Sequence, residues 1–130
     1  LIILDCPPSL SELAEQVIGT ANAIYVPIIP SKLSLQSWDQ IKGFAKEQKV
    51  KPKRLRPFFS MVDRRKTLHR DLTENPTKTL PTALNTVIPN ASAIERMGEA
   101  REPLELMDRR SKAARAYRDL WQEIRSSLKL

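Results

Sequence analysis

The feature that most constrains the fold is a run of four aliphatic residues, Leu1 to Leu4, followed by an acid and, two residues later, two prolines. Because the run does not alternate with polar residues, it is typical of a strand buried on both faces, as in a parallel sheet covered by helices. Proline cannot continue a sheet ladder, so Pro7 and Pro8 turn the chain out over the carboxyl edge. Asp5 then lies where open α/β sheets bind ligands. An ordinary core strand with a turn-capping Asp is the alternative interpretation.

Strand and helix patterns alternate along the rest of the chain. This alternation predicts an α/β fold, a parallel sheet with helices on both faces, joined by right-handed crossovers. Pro27 indicates a strand end or edge, and the prolines at 76 and 81 exclude one continuous helix over 73–82. The predicted elements are a helix over 11–20, a strand over 23–29, a helix from Ser31 or Ser34 through Ala45, a strand over 55–62, a short helix within 64–70, a strand over 85–90, a helix closing near Gly98, and a final helix over 111–128.

Length and composition indicate one soluble domain, residues 1–130. Hydrophobic residues make up 41% of the chain and charged residues 28%, which is typical of a folded protein. No apolar run is long enough to span a membrane. The single cysteine, Cys6, excludes an internal disulfide and suits a reducing cytoplasm. For His69, the only histidine, we expect no metal role because no Cys or carboxylate cluster accompanies it.

The charge of the chain favours an anionic partner. A net charge of +7 and a pI near 9.9 favour nucleic acid first and an anionic membrane surface second. The basic run over 46–56 is more often a solvated helix end and loop than a binding site. The final helix has an apolar stripe, and such stripes more often dock on the parent sheet than bind a membrane or partner.

Five short motifs together resemble the second half of the ParA family, the deviant Walker ATPases that segregate plasmids and chromosomes. The string from Leu4 to Leu10 resembles the family's Walker B strand and switch II. The other four, in the same order as in the family, are Tyr25 to Pro30 with Ser34-Leu35-Gln36 after it, Ser60 to Asp63, Thr86 to Asn90, and Ala116 to Leu120.

The resemblance implies roles for individual residues. Asp5 would be the catalytic Walker B carboxylate, acting on Mg through water or on the attacking water. The resemblance assigns switch II to Cys6, Pro7, Pro8 and Ser9, and contact with the adenine of ATP to Met61, Asp63, Ile88, Pro89 and Asn90. For Asp63, a helix cap is an equally good interpretation.

The chain contains only three glycines and no glycine-rich phosphate cradle. It also begins in mid-strand by our interpretation, so we expect it to be the C-terminal part of a P-loop NTPase fold whose phosphate-binding half precedes Leu1. The resemblance implies a Mg-dependent ATP hydrolase in the intact protein, with ATP and Mg as cofactors. We expect this portion alone neither to bind ATP tightly nor to hydrolyse it.

The resemblance also implies the partners. These are DNA bound without sequence specificity, a ParB-like activator protein and, when ATP is bound, a second copy of the chain in a homodimer. The protein would be cytoplasmic and associated with the nucleoid. We do not expect a membrane among the partners. Ala93 stands where many relatives have a basic DNA-binding residue. We therefore expect DNA contacts from Arg96, Arg101, Arg109, Arg110, Lys112 and Arg115. Two alternatives remain, a MinD-like positioning ATPase and a non-catalytic basic interaction module.

Overall fold

Two short parallel strands form the sheet in this mixed α/β chain, of which the computed structural model describes residues 1–6 and 12–129. Strand β1 (Ile24–Ile28) pairs with β2 (Leu55–Phe59), with Ile24 opposite Leu55 and Ile28 opposite Phe59. The helices are α1 (Glu12–Thr20), α2 (Lys32–Glu47), α3 (Thr67–Thr73), α4 (Pro76–Thr79), α5 (Ser92–Ala100), α6 (Leu104–Met107) and α7 (Lys112–Leu128), and a 3₁₀ turn covers Pro52–Arg54.

The segment 84–90 runs alongside β2 without becoming a regular strand. The backbone N–H of Leu84 donates to the carbonyl of Pro57 at 2.9 Å, and that of Ile88 donates to Phe59 at 2.9 Å. Further along, Val62 and Pro89 form an isolated parallel bridge. The predicted strand over 85–90 therefore occupies the expected position, but only part of it makes sheet-like hydrogen bonds.

Alternating side chains of the two strands enter different hydrophobic clusters. Ile28, Leu55 and Phe59 pack in one cluster with Trp38 and Ala45 of α2. Tyr25 and Phe58, which point the opposite way along the strands, pack in a second cluster. This second cluster also contains Leu84, Ile88, Leu120 and Ile124. Helices α2 and α7 thus cover opposite sides of the strand pair.

The docking of α7 confirms the prediction made for its apolar stripe. Leu120 is buried and Ile124 packs beside it, and the hydroxyls of Tyr25 and Ser127 hydrogen-bond at 2.7 Å. Tyr117 and Trp121, on the flank of the stripe, are 38% and 41% exposed. Among the described residues, no helix combines the length and apolarity needed to cross a membrane.

Side-chain caps begin α2, α4 and α7, whereas α5, for which the sequence predicts Ser92 or Asn90 as the cap, has Ala91 at that position and no side-chain cap. Ser31 accepts a hydrogen bond from the backbone N–H of Ser34 at 3.2 Å, so Ser31 is the cap of α2. Ser111 accepts from the backbone N–H of Ala114 at 3.0 Å at the start of α7. Asn75 caps α4, whose first residue is Pro76, and this break confirms that 73–82 is not one helix.

The predicted first strand is not formed. Leu1 to Leu4 have no regular secondary structure and are 72%, 86%, 75% and 58% exposed, respectively. A strand is stabilised by hydrogen bonds to a neighbour, and no described segment pairs with these residues. The prediction of a fully covered parallel sheet is thus correct only for its mixed α/β class and the parallel pairing of β1 and β2.

Two other boundaries differ from the predicted positions by two or three residues, for local reasons. Helix α5 passes through Gly98 and ends two residues later, because Arg101 adopts the left-handed conformation, with φ of 53°, that stops the helix. Strand β2 ends at Phe59 rather than residue 62, because Met61 has φ of 55° and interrupts the extended backbone.

Candidate functional site

The carboxyl ends of β1, β2 and the 84–90 segment meet at one edge. The N–H of Ser60 donates to the carbonyl of Ile28 at 2.9 Å, and Val62 donates to Ile88 at 3.1 Å. The N–H of Asn90 in turn donates to Val62 at 3.0 Å. These bonds bring together the residues predicted to contact adenine, namely Met61, Asp63, Ile88, Pro89 and Asn90.

These five residues differ in what they offer a ligand. Met61 is 49% exposed and Asn90 is exposed, whereas Ile88 is only 1% exposed and belongs to the core. Both backbone groups of Ile88 are also engaged in hydrogen bonds to Phe59 and Val62. Ile88 therefore supports the edge from beneath, and the accessible side chains are those of its neighbours.

The left-handed backbone of Met61 is a strained feature of this edge. Its φ of 55° costs a residue with a side chain about 1–2 kcal/mol relative to glycine. Such strain persists where surrounding contacts hold the backbone, and it clusters at functional sites. Here the bonds of Ser60 and Val62 to neighbouring segments hold Met61 from both sides.

Asp63 forms a tight turn with Arg65. One carboxylate oxygen, Oδ1, accepts the backbone N–H of Arg65 at 3.0 Å and its Nε at 2.9 Å, while Oδ2 accepts Nη2 at 2.8 Å. The side-chain hydrogen bonds of Arg65, followed by its backbone N–H, hold the pKa of Asp63 well below the ordinary value. Both carboxylate oxygens are thus engaged in the turn that leads to α3.

His69 holds the same turn from the side of α3. The ring is 7% exposed, and its Nδ1 accepts the backbone N–H of Asp63 at 3.0 Å. A nitrogen that accepts carries no proton, so in the neutral ring the proton lies on Nε2. His69 is a structural residue in this loop, a role that its sequence position did not indicate.

A cleft of about 390 Å³ opens between the edge and the first turns of α7. Its apolar wall consists of Val62, Val87, Pro89 and Ala116. Its charged wall has three cations and one acid, namely Arg64, Lys112, Arg115 and Asp119. An apolar wall beside an excess of positive charge suits a flat, anionic ligand such as a nucleotide, or a nucleic-acid strand.

The six cations predicted to contact DNA are only partly brought together. Lys112 and Arg115 line the cleft. Arg96 lies on α5 and Arg101 at its end, and neither lines the cleft. Arg109 and Arg110 lie between α6 and α7. The Nε of Arg109 forms an ion pair with Glu105 at 2.9 Å, and Arg118 contacts the other oxygen of the same carboxylate at 2.5 Å.

The structure describes Asp5, the predicted Walker B residue, and Cys6, the first residue of the predicted switch II. Asp5 and Cys6 are exposed and belong to no helix or strand. Pro7, Pro8 and Ser9, predicted as switch II, lie outside the described residues. Within the described ranges, 1–6 and 12–129, there is no group of three or more His, Cys, Asp or Glu side chains that could hold a metal ion.

Several cleft residues were not identified from the sequence. Arg64, Val87 and Asp119 all line the cleft. The position of Arg64 directly after a predicted strand end was a usable signal, because side chains that follow parallel strands gather at one edge. Asp119 carried no such signal, since its position depends on how α7 docks.

The structure thus defines a mixed α/β protein with parallel strands and a basic cleft at their carboxyl ends. In comparisons with known proteins, no protein-family profile matches this chain. The curated proteins likewise include no significant match.

Proposed function

We propose that this chain is the C-terminal portion of a ParA-like ATPase that acts in plasmid or chromosome partitioning. The observation that carries the proposal is the basic cleft at the carboxyl ends of the parallel strands, which is lined by Pro89, one of the five residues that the resemblance assigns to adenine contact. In this proposal the intact protein hydrolyses ATP with Mg, dimerises when ATP is bound, binds DNA nonspecifically and responds to a ParB-like activator. The complete fold would be a parallel sheet with helices on both faces.

The residues of the cleft fit the nucleotide base better than they fit a metal. Val87 and Pro89, which are partly exposed, offer an apolar surface against which a purine ring can pack, and Val62, only 3% exposed, lies beneath them. The one Mg-directed residue in the proposal is Asp5. Because Mg keeps several waters and shares its remaining ligands with phosphates, a single carboxylate is compatible with this role. The phosphate-binding groups would come from chain outside residues 1–130.

Lys112 and Arg115 carry the proposed DNA contact. Both are exposed, and neither forms an ion pair with a described residue. Side chains of this kind contact phosphates without reading base sequence, so the binding would be strongly salt-dependent.

Salt-dependent DNA binding tests this part of the proposal. Fluorescence anisotropy with a labelled duplex measures affinity at several salt concentrations. For the Lys112→Ala/Arg115→Ala variant, the slope of log K against log salt should fall in magnitude by about 2, because about one slope unit is lost per phosphate contact. The matched control is Lys32→Ala/Arg125→Ala, two exposed cations outside the cleft. An unchanged slope in the cleft variant would show that these residues do not contact DNA.

ATP turnover tests the catalytic part. The assay uses a protein that also includes the proposed phosphate-binding half. In this protein, Asp5→Ala should lower ATP turnover by about a hundredfold or more, because the carboxylate would act on the metal or the attacking water. Asp39→Ala, at an exposed acid on α2, serves as the control. Full turnover by Asp5→Ala would disprove the role of Asp5.

A second candidate function is a non-catalytic basic interaction module. It is favoured by the net charge of +7 and by the exposed cations Lys112 and Arg115 that line the cleft. This module would bind DNA with the same salt dependence and would show no ATP turnover in any form, so the two measurements together separate the candidates.

A further inference from the structure

A second cleft lies near the start of β2, away from the candidate site. It has a volume of about 420 Å³ and lies between α2 and the segment 79–82. Its apolar lining comprises Leu35, Trp38, Pro52, Leu55, Leu80 and Pro81. Trp38, Leu55 and Leu80 are at most 5% exposed and form the floor, while Pro52 and Pro81 are exposed and form rims. The cleft is therefore a preformed apolar groove with proline edges.

The chain next to this groove is rich in positive charge. The stretch 42–56 contains seven Lys or Arg residues and one acid, Glu47. Lys42 lines the groove, where it pairs with Asp39 at 2.8 Å, and Lys46 follows one helical turn later. Lys51 and Lys53 flank the rim residue Pro52.

Most of these charges are not used within the protein. Three of the seven are exceptions. Lys42 pairs with Asp39, and the Nε of Arg56 donates to the carbonyl of Lys53 at 3.0 Å. The Nη2 of Arg54 donates to the carbonyls of Ile18, Gly19 and Ala21 at the end of α1. Lys46, Lys49, Lys51 and Lys53 are exposed and form no ion pair among residues 1–6 and 12–129. Of these, Lys51 and Lys53 adjoin the rim residue Pro52, and Lys46 follows Lys42 by one helical turn, so unpaired ammonium groups adjoin the apolar groove.

We propose that this groove docks an acidic peptide segment of a partner protein. Apolar side chains of the peptide enter between Pro52 and Pro81, and its carboxylates pair with Lys42, Lys46, Lys51 and Lys53. The phosphates of a nucleic acid would pair with the lysines but would not cover the apolar floor of the groove, which a peptide side chain can fill. A flat lipid surface would not enter a concave groove. The proposal does not depend on the proposed ATPase function.

The test uses the whole chain and a random peptide library displayed on phage. Selected peptides are expected to be rich in Asp and Glu around two or more apolar residues. The tightest one, resynthesised with a fluorescent label, should bind Lys51→Glu/Lys53→Glu about tenfold more weakly, because close charge pairs are lost and like charges introduced. Pro81→Glu, on the opposite rim, should weaken binding similarly. The control Lys32→Glu/Arg125→Glu has the same change in net charge and should bind normally.

NMR provides a second readout, because the chain has only two tryptophans. The indole N–H signal of Trp38 should shift on peptide addition while that of Trp121 stays in place, with Trp121→Phe used for assignment. The proposal is overturned if selected peptides lack acidic residues, if rim variants bind normally, or if the Trp38 signal is unmoved. It is equally overturned if Lys51→Glu/Lys53→Glu abolishes binding of duplex DNA or phosphatidylserine vesicles but leaves peptide binding unchanged.

Discussion

Single residues determine the shape of the loop at the candidate site. Asp63 and Arg65 close a turn through three hydrogen bonds, and His69 fixes the backbone N–H of Asp63. Met61 is held in a left-handed conformation just before them. The loop that carries Arg64 into the cleft is therefore held by side-chain contacts on both sides of Arg64.

The Asp63–Arg65 pair predicts a pH dependence of stability. A carboxyl whose folded pKa is lowered stabilises the fold above its ordinary pKa of about 3.9 and loses this effect as pH falls below that value. Arg65→Ala should therefore be less stable than wild type at pH 7, with the gap narrowing below about pH 4. Urea denaturation across pH measures the gap, and Arg64→Ala is the control. An ordinary titration of the wild-type Asp63 carboxyl by NMR would contradict the prediction.

Replacing His69 should destabilise the protein. His69→Leu removes the acceptor for the partly buried N–H of Asp63. An unsatisfied buried donor costs about 1–3 kcal/mol, so we expect a loss near the lower end of this range. Urea denaturation measures this loss, and hydrogen exchange at Asp63 should accelerate. Leu68→Ala, at the exposed neighbouring position, should change stability by less than about 0.5 kcal/mol. Equal effects of the two substitutions would argue against the hydrogen bond.

At the scale of elements, α7 explains why the 84–90 segment is not a regular strand. The carboxylate of Glu123 accepts the backbone N–H of Asn85 at 2.7 Å and that of Thr86 at 2.9 Å. Since Pro89 has no N–H to donate, few donors of this segment remain for a sheet ladder. Helix α7 thereby positions both walls of the candidate cleft.

Removing the Glu123 carboxylate should loosen this arrangement. Glu123→Ala leaves two backbone N–H groups without their acceptor, and hydrogen bonds to a charged group contribute about 1.5–3 kcal/mol when buried. Because Asn85 is exposed, we expect a loss of about 1–2 kcal/mol in the free energy of unfolding. Gln122→Ala, an exposed neighbour on α7, should be nearly neutral. If Glu123→Ala left the free energy of unfolding unchanged, water would be replacing the carboxylate as the acceptor with no loss of stability.

At the scale of the whole molecule, two parts of the chain have no partner among the described segments, namely the run Leu1 to Leu4 and the outer edge of β1. Leu1 to Leu4 are exposed. The carbonyl of Ile28 accepts a hydrogen bond from Ser60 at the end of β2. Because the backbone groups of successive strand residues point to opposite sides, those of Pro27 face the outer edge of β1. The missing N–H of Pro27 therefore removes no hydrogen bond of the sheet. No described segment pairs with that edge. Exposed aliphatic runs of this kind favour association between chains.

Polar substitutions in the exposed run should reduce association without loss of stability. Ile2→Ser/Ile3→Ser removes two side chains that are 86% and 75% exposed, so the free energy of unfolding should change by less than about 0.5 kcal/mol. Analytical ultracentrifugation of isolated chain should show less self-association than in wild type. A large loss of stability would show instead that the run is packed in solution. Leu33→Ser, at another exposed apolar position, controls for general surface hydrophobicity.

Local patterns were sufficient for much of the fold. The start of α2 at Ser31 or Ser34, the break at Pro76 and the apolar stripe of α7 depend on a few neighbouring residues, so their spacing predicts them directly. The gathering of Met61, Asp63 and Asn90 also followed from the sequence, because parallel strands end at a common edge.

What the sequence alone determined was therefore the order of the elements and the edge at which polar residues collect. Only the tertiary structure decided that Leu1 to Leu4 remain unpaired, since a strand depends on a neighbour that may be distant in sequence. It also decided that Arg115 and Asp119 share a cleft with Arg64, because that depends on the docking angle of α7. Burial and strand pairing depend on two segments that come into contact, so the local sequence of one segment does not determine them.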